Sequence, residues 1–170
     1  MKPMSKIVRT VAASIGWFVF VFGIYVIVHG HLTPGGGFQG GAVMATGVAL
    51  LIVAYGGWSA EKCVRKERLP VFESAGLLTF ILLAFGGAFL GVTFFFNFLA
   101  NKGGLFGDTL PVGINPGIFN SAGVIPLMNM GVGMEVLAGI SLILFAMFYG
   151  TKKVREGTCL ADNEKKEEDA

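Results

Sequence analysis

Apolar residues in this chain do not alternate with polar ones; they run in four long blocks. The first extends from Ile7 to Val28, interrupted by Arg9 near its start. As a helix it reaches about 33 Å, enough to cross a hydrocarbon core of ~30 Å. The second block, Phe38 to Gly57, is rich in Gly and Ala and has Tyr55 and Trp58 at its end. The third, Ala75 to Leu99, closes on Phe94-Phe95-Phe96, and the fourth runs from Ala122 to Phe148 and contains Asn129 and Glu135. Between the last two, residues 100–121 are rich in Gly, Asn and Pro, a composition that makes turns. The pattern predicts an all-α polytopic membrane protein: a transmembrane domain over 1–150 with spans at 7–28, 38–57, 75–99 and 122–148. A mixed-charge tail, 151–170, is expected to be disordered.

Composition agrees with lipid as the solvent. Of 170 residues, 54% are hydrophobic and only 14% charged, and the mean hydropathy is +0.70. A soluble domain carries about 25% charged residues. Four spans leave no room for a soluble catalytic domain, and 13 basic against 11 acidic residues are too balanced for a nucleic-acid binder. The first block also has the basic start of a secretory signal, but it exceeds the roughly 7–15 apolar residues of one and no small-residue cleavage site follows it. Basic residues then orient the chain. Lys2, Lys6 and Arg9, then Lys62, Arg65, Lys66 and Arg68, then Lys152, Lys153 and Arg155 fall on one side of the four spans, and Lys102 alone on the other. Both termini are therefore expected in the cytoplasm of a prokaryotic cell. Arg9 is placed to snorkel to that interface.

Small residues recur at helical spacing: Gly41, Ala45, Ala49 and Gly57 in the second span, Ala84/Ala88 and Gly87/Gly91 in the third. Such stripes let helices approach closely in lipid, and two of them suggest contact with other subunits as well as internal packing. The chemistry-bearing residues are few. The loop His29-Gly30-His31-Leu32-Thr33-Pro34-Gly35-Gly36-Gly37-Phe38-Gln39-Gly40-Gly41 suggests metal binding, but zinc sites use three or four protein ligands. The chain has only two histidines, and Cys63 and Cys159 fall on the opposite side, as reduced bystanders. No metal and no cofactor is expected. The glycines do not make a P-loop either, because no Gly-Lys-Ser/Thr follows them. They allow irregular backbone packed against helices. His29 and His31 then serve as proton-accepting groups at the mouth of a path, or as interfacial caps. An acyl-transfer site would have to use Ser121 with His29 or His31, and nothing activates that pair, so no catalytic residue is assigned.

Glu135 stands out. It falls mid-span, where an ionised carboxylate facing lipid is costly, so it must face protein or water. Gly131 and Gly139 lie one turn away on each side, a groove for another helix. Its role is ionic, in transport, or structural, as a carboxyl bonded to a neighbouring loop or subunit. Glu73, close after Leu69-Pro70, suits a helix N-terminus, and Asp108 falls in an outer loop.

Two stretches carry a resemblance. HGHLTPGGGFQGG at 29–41, followed by a Gly/Ala-rich span, and FNSAGVIPLMNMGVGMEV at 119–136 resemble the MnhB/MrpB family of small membrane subunits of multisubunit cation/proton antiporters. The resemblance implies a hetero-oligomer with other antiporter-module membrane subunits, Na+ and H+ as transported ions, and a contribution to assembly and to a sodium path. It equally implies, as the alternative, a structural subunit in the antiporter-like arm of a redox-driven complex such as a membrane-bound hydrogenase or sulfur reductase. Carried over residue by residue, it marks His29, His31, Thr33, Pro34, Gln39, Asn129 and Glu135.

Overall fold

The computed structural model describes residues 4–56, 66–99 and 122–168. Among them are four long helices and no strand: α1 (Lys6–Val28), α2 (Gly37–Tyr55), α3 (Leu69–Phe89) and α4 (Ile125–Glu168). Each is long and apolar enough to cross a membrane, α4 over Ile125–Val154. Trp17 and Phe18 are 72% exposed, and most large apolar side chains of α1 and α3 also face outward. A water-soluble protein does not present such a surface; in a bilayer it faces lipid or other membrane protein. The protein is a multi-pass, all-α membrane protein.

Local sequence sets the helix ends. The Ser5 hydroxyl accepts from the Val8 N–H and caps α1. Pro70, in the first turn of α3, is suited to that position because its missing N–H would have had no helical partner. At the other end Gly91 adopts φ +75, its N–H donates to the Ala88 carbonyl, and the Val92 N–H donates to Gly87. This is a Schellman closure, which needs the left-handed backbone that glycine adopts without strain. The third span is thus Leu69–Phe89 and not 75–99. Residues 92–99 fold back on α3 instead of extending it: the Phe95 N–H donates to the Ala84 carbonyl, and the Phe98 ring lies against Gly86. Asn97 then spans to the start of α4, donating to the Ala122 carbonyl and accepting from the Val124 N–H, both at 2.8 Å.

The fourth helix also departs from its expected bounds. It does not stop at Phe148 before a disordered tail but continues unbroken to Glu168. The costly step in helix formation is nucleation, and the membrane span has already nucleated this helix; Lys, Arg, Glu, Leu and Ala then propagate it readily. Cys63, Asp108 and the turn-rich segment 100–121 lie outside the described residues.

Helix order in space differs from order in sequence. α1 packs on α2, α2 on α4, and α4 on α3, with a smaller α1–α4 contact. α3 lies against α4 along its length, and its Leu69 joins Ile52 of α2 and Ala138 and Phe145 of α4 in one apolar cluster. α1 and α2 are antiparallel, with the Met4 N–H donating to Ala54 and the Tyr55 hydroxyl donating to the Arg9 carbonyl. The Arg9 guanidinium sits 6.0 Å over the Tyr55 ring, a cation–π contact at the end of the bundle that also holds Lys6 and Arg68.

Several residues of the small-residue stripes are used inside the chain. Ala45 is fully buried, and Gly41 abuts the backbone of α4. Gly87 makes room for Thr93 and Phe96 of its own fold-back, while Gly91 lies past the helix with open space where a side chain would be. Gly41 and Ala45 of the second-span stripe thus pack internally, whereas Ala88 and Gly91 of the third-span stripes are exposed.

The melting temperature of the purified chain in detergent checks this packing. Gly41→Leu should lower the melting temperature, because even a Cβ there meets the Gly133 carbonyl at 2.7 Å and overpacking costs about 1–3 kcal/mol. Gly16→Ala should be neutral or slightly stabilising, since nothing lies within 4 Å of its added carbon. Asn97→Leu should cost about 2 kcal/mol by leaving both backbone groups unpaired, with Asn97→Asp recovering part of it.

Candidate functional site

The loop after α1 is built around one carbonyl. The His29 C=O accepts from the Leu32 N–H at 2.9 Å, the Thr33 N–H at 3.0 Å and the Thr33 hydroxyl at 3.1 Å. The His29 ring stacks on Tyr25 with centroids 4.2 Å apart, and its Nδ1 lies 3.2 Å from the Tyr25 carbonyl, so that nitrogen carries the proton when they bond. His29 and Thr33 thus act locally, closing the end of α1. His31 is half-buried in the same turn; Pro34 and Gln39 are exposed.

The glycines that follow wedge α2 between its neighbours. A Cβ on Gly40 would strike the Gly23 carbonyl and Ile27 of α1. On the opposite face, a Cβ on Gly37 would strike the Asn129 carbonyl and Val132, and one on Gly41 would strike the Gly133 carbonyl and Val136. The two stretches that carried the resemblance, far apart in sequence, therefore meet backbone to backbone. Asn129 reaches across this seam: its Nδ2 lies 3.0 Å from the Cβ position of Gly30 and its Oδ1 3.9 Å from that of Gly36. The 29–41 turn thus meets Asn129 through Gly30 and Gly36, at the bundle end opposite Arg9.

Glu135 lies on another face. Gly76 of α3 fits against the Glu135 backbone, 2.8 Å from its nitrogen and 3.1 Å from its Cβ, measured from the Gly76 Cβ position. In return the Glu73 carboxylate crosses to α4, where Oε1 is 3.4 Å from the Cβ position of Gly139. Gly131 abuts the Gly76 carbonyl at 3.0 Å. Gly76 and Gly131 thus bring α3 and α4 into backbone contact, and the two half-buried carboxyl groups of Glu73 and Glu135 lie at this crossing. Among the described residues, neither carboxyl has a hydrogen-bond or ion-pair partner.

Glu135 follows Asn129 by six residues, about 9 Å along the helix axis. Ser141 follows Glu135 at the same interval; it is fully buried, and its hydroxyl has no partner among the described residues. The sequence reading missed Ser141 and Asn97. Each could have been found as a lone polar residue in an apolar stretch, Ile140-Ser141-Leu142 and Phe96-Asn97-Phe98. Among the described residues no three His, Cys, Asp or Glu side chains gather as a metal site would require.

Comparison with known proteins bears on this geometry. Residues 7–142 match the family model described as a domain related to the MnhB subunit of Na+/H+ antiporters, which takes in both glycine-rich stretches and the α3–α4 crossing. An uncharacterized protein of Methanocaldococcus jannaschii is 34% identical over 84% of this chain and 52% of its own length. A Na+/H+ antiporter subunit of Bacillus subtilis is 34% identical over 55% of this chain and 64% of its own. Its namesake in Alkalihalophilus pseudofirmus is 28% identical over 54% of this chain and 62% of its own. The chain thus spans between half and two thirds of the length of these relatives. With the match covering all but the tail of the helical bundle, the chain belongs to the family of domains related to the MnhB subunit of Na+/H+ antiporters.

Proposed function

We propose that this protein is a small, non-enzymatic membrane subunit of a multisubunit Na+/H+ antiporter, helping to assemble it and contributing to its sodium path. Both termini lie on the cytoplasmic side of a prokaryotic cell membrane, because the basic residues concentrate at that end of the bundle. Family membership and the antiporter relatives of the two bacilli support the subunit role. The observation that carries the path is Glu135, a carboxyl within the α4 span with no counter-charge among the described residues. A carboxylate at that depth is retained where it handles a cation or proton, since against lipid alone it costs about 2.5–3.5 kcal/mol by insertion scales.

The path in this proposal starts where the turn that carries His29 and His31 meets Asn129, reaches Glu135 about 9 Å further along α4 and continues past Glu73 toward the basic end. Gly76 and Gly131 hold the two backbones in contact there, so in this proposal the path runs beside the crossing, along the two carboxyl groups. Thr33 and Gln39 flank the outer mouth.

Sodium efflux by the whole complex tests this. Glu135→Gln keeps the side chain's size and removes its charge, and should reduce sodium-dependent transport about tenfold or more. Glu135→Asp should retain part of it. Transport at the normal level in the Gln variant, with the complex assembled, would exclude Glu135 from the path.

A further inference from the structure

At the end of the bundle where α1 begins, one cation lacks an opposite charge among the described residues. Arg9 is half-buried, and its Nε is enclosed without a hydrogen-bond partner among those residues. Its guanidinium lies 6.0 Å from the centre of the Tyr55 ring, and the Tyr55 hydroxyl donates to the Arg9 carbonyl instead of meeting the charge. The ring takes one face of the guanidinium and leaves the in-plane N–H donors for another partner. A cation drawn partly out of water is stabilised by a counter-charge. Neither α1 nor α2 supplies one, since the first acidic residue of the chain is Glu61. Lys6, exposed one turn before Arg9, adds a second positive charge.

The surface that continues from Arg9 into the span is apolar. Arg9, Ala13, Gly16 and Phe20 follow at helical spacing on one strip of α1, with Lys6 and Trp17 beside it. A Cβ on Gly16 would meet nothing within 4 Å, and Gly47 of α2 faces it with its Cβ position 3.6 Å from the Gly16 carbonyl. The α1–α2 seam thus has a shallow recess about 10 Å further into the span than Arg9. Trp17 edges this recess, 72% exposed, its ring meeting Phe20 edge-on at 6.4 Å.

We infer that this strip seats an anionic phospholipid, its phosphate on the in-plane N–H groups of Arg9 beside Lys6 and one acyl chain along Ala13 and Gly16. A guanidinium bonds a phosphate through two parallel N–H···O bonds, which its fixed fork favours. Two positive charges without an acid on either helix select a net-negative head group over a zwitterionic one, whose own cation they would repel. The apolar recess in line with Arg9 selects an amphiphile over a soluble phosphate. The inference stands on α1 and α2 and does not depend on the proposed ion path.

Trp17 reports on the seat, since it is the one tryptophan left in the full chain carrying Trp58→Phe. That chain is reconstituted in phosphatidylcholine nanodiscs holding a minor fraction of phosphatidylglycerol brominated on its acyl chains, because bromine quenches a neighbouring indole. Quenching should exceed several-fold that from the same fraction of brominated phosphatidylcholine. Arg9→Gln should remove the excess, and Arg9→Lys, which keeps the charge but not the fork, should retain part of it. Gly16→Leu should lower it with Arg9 in place, by filling the recess. Glu61→Gln should leave it unchanged.

Equal quenching by the two lipids overturns the seat, as does an excess that survives both Arg9→Gln and Gly16→Leu. A several-fold rise in Glu61→Gln overturns it too, by showing that Glu61 occupies Arg9. Loss of the excess in inorganic phosphate, but not in chloride of equal ionic strength, shows a soluble anion in place of the lipid and overturns the lipid as occupant.

Discussion

Everything in this bundle depends on how closely α2 can lie against α4. Hydrophobic driving force between helices vanishes in lipid, so association rests on van der Waals contact and on backbone proximity. Gly37 and Gly41 bring the first turns of α2 onto the Asn129 and Gly133 carbonyls, at distances no residue with a Cβ could reach without displacing the helix. Gly40 does the same toward α1 on the opposite side. The His29–Gly36 turn is held between these contacts. A long-range glycine seam thus positions the turn that carries the histidines.

α4 is the element that the other three share. It meets α2 through Gly133 and Val136, α1 through Ile27 against Gly133, and α3 through Gly131, Glu135 and Gly139. Its polar residues are therefore distributed among different interfaces: Asn129 faces the α1–α2 turn, Glu135 faces α3, and Ser141 is enclosed beside the Ala138–Phe145 cluster. The long continuation to Glu168 extends the same rigid element beyond the membrane span.

Much of this was legible in the chain. The four apolar blocks gave the number of spans, and the isolated glutamate in the fourth pointed to Glu135 before any contact was known. The failures have local causes. Hydropathy alone follows Phe94–Phe96 onward, whereas Pro70 and Gly91 set the limits of α3 through a missing N–H and a left-handed backbone. The tail was read by charge, although a helix already nucleated in the membrane propagates into a polar segment. Asn97 and Ser141 went unnoticed because a single polar residue hardly alters an apolar average.

The sequence by itself determined that lipid is the solvent, how many helices cross it and which residues are too polar to face it, because these follow from composition and length against a fixed hydrocarbon thickness. It could not determine which glycines meet which backbone. Helical spacing assigns residues to a face but not to a neighbour, so Gly41 and Gly87 read alike as packing stripes, although one meets α4 and the other its own helix's fold-back. Only the tertiary structure set Glu73 against Gly139 and Gly76 against Glu135, because that depends on the register between two antiparallel helices, which no local pattern encodes.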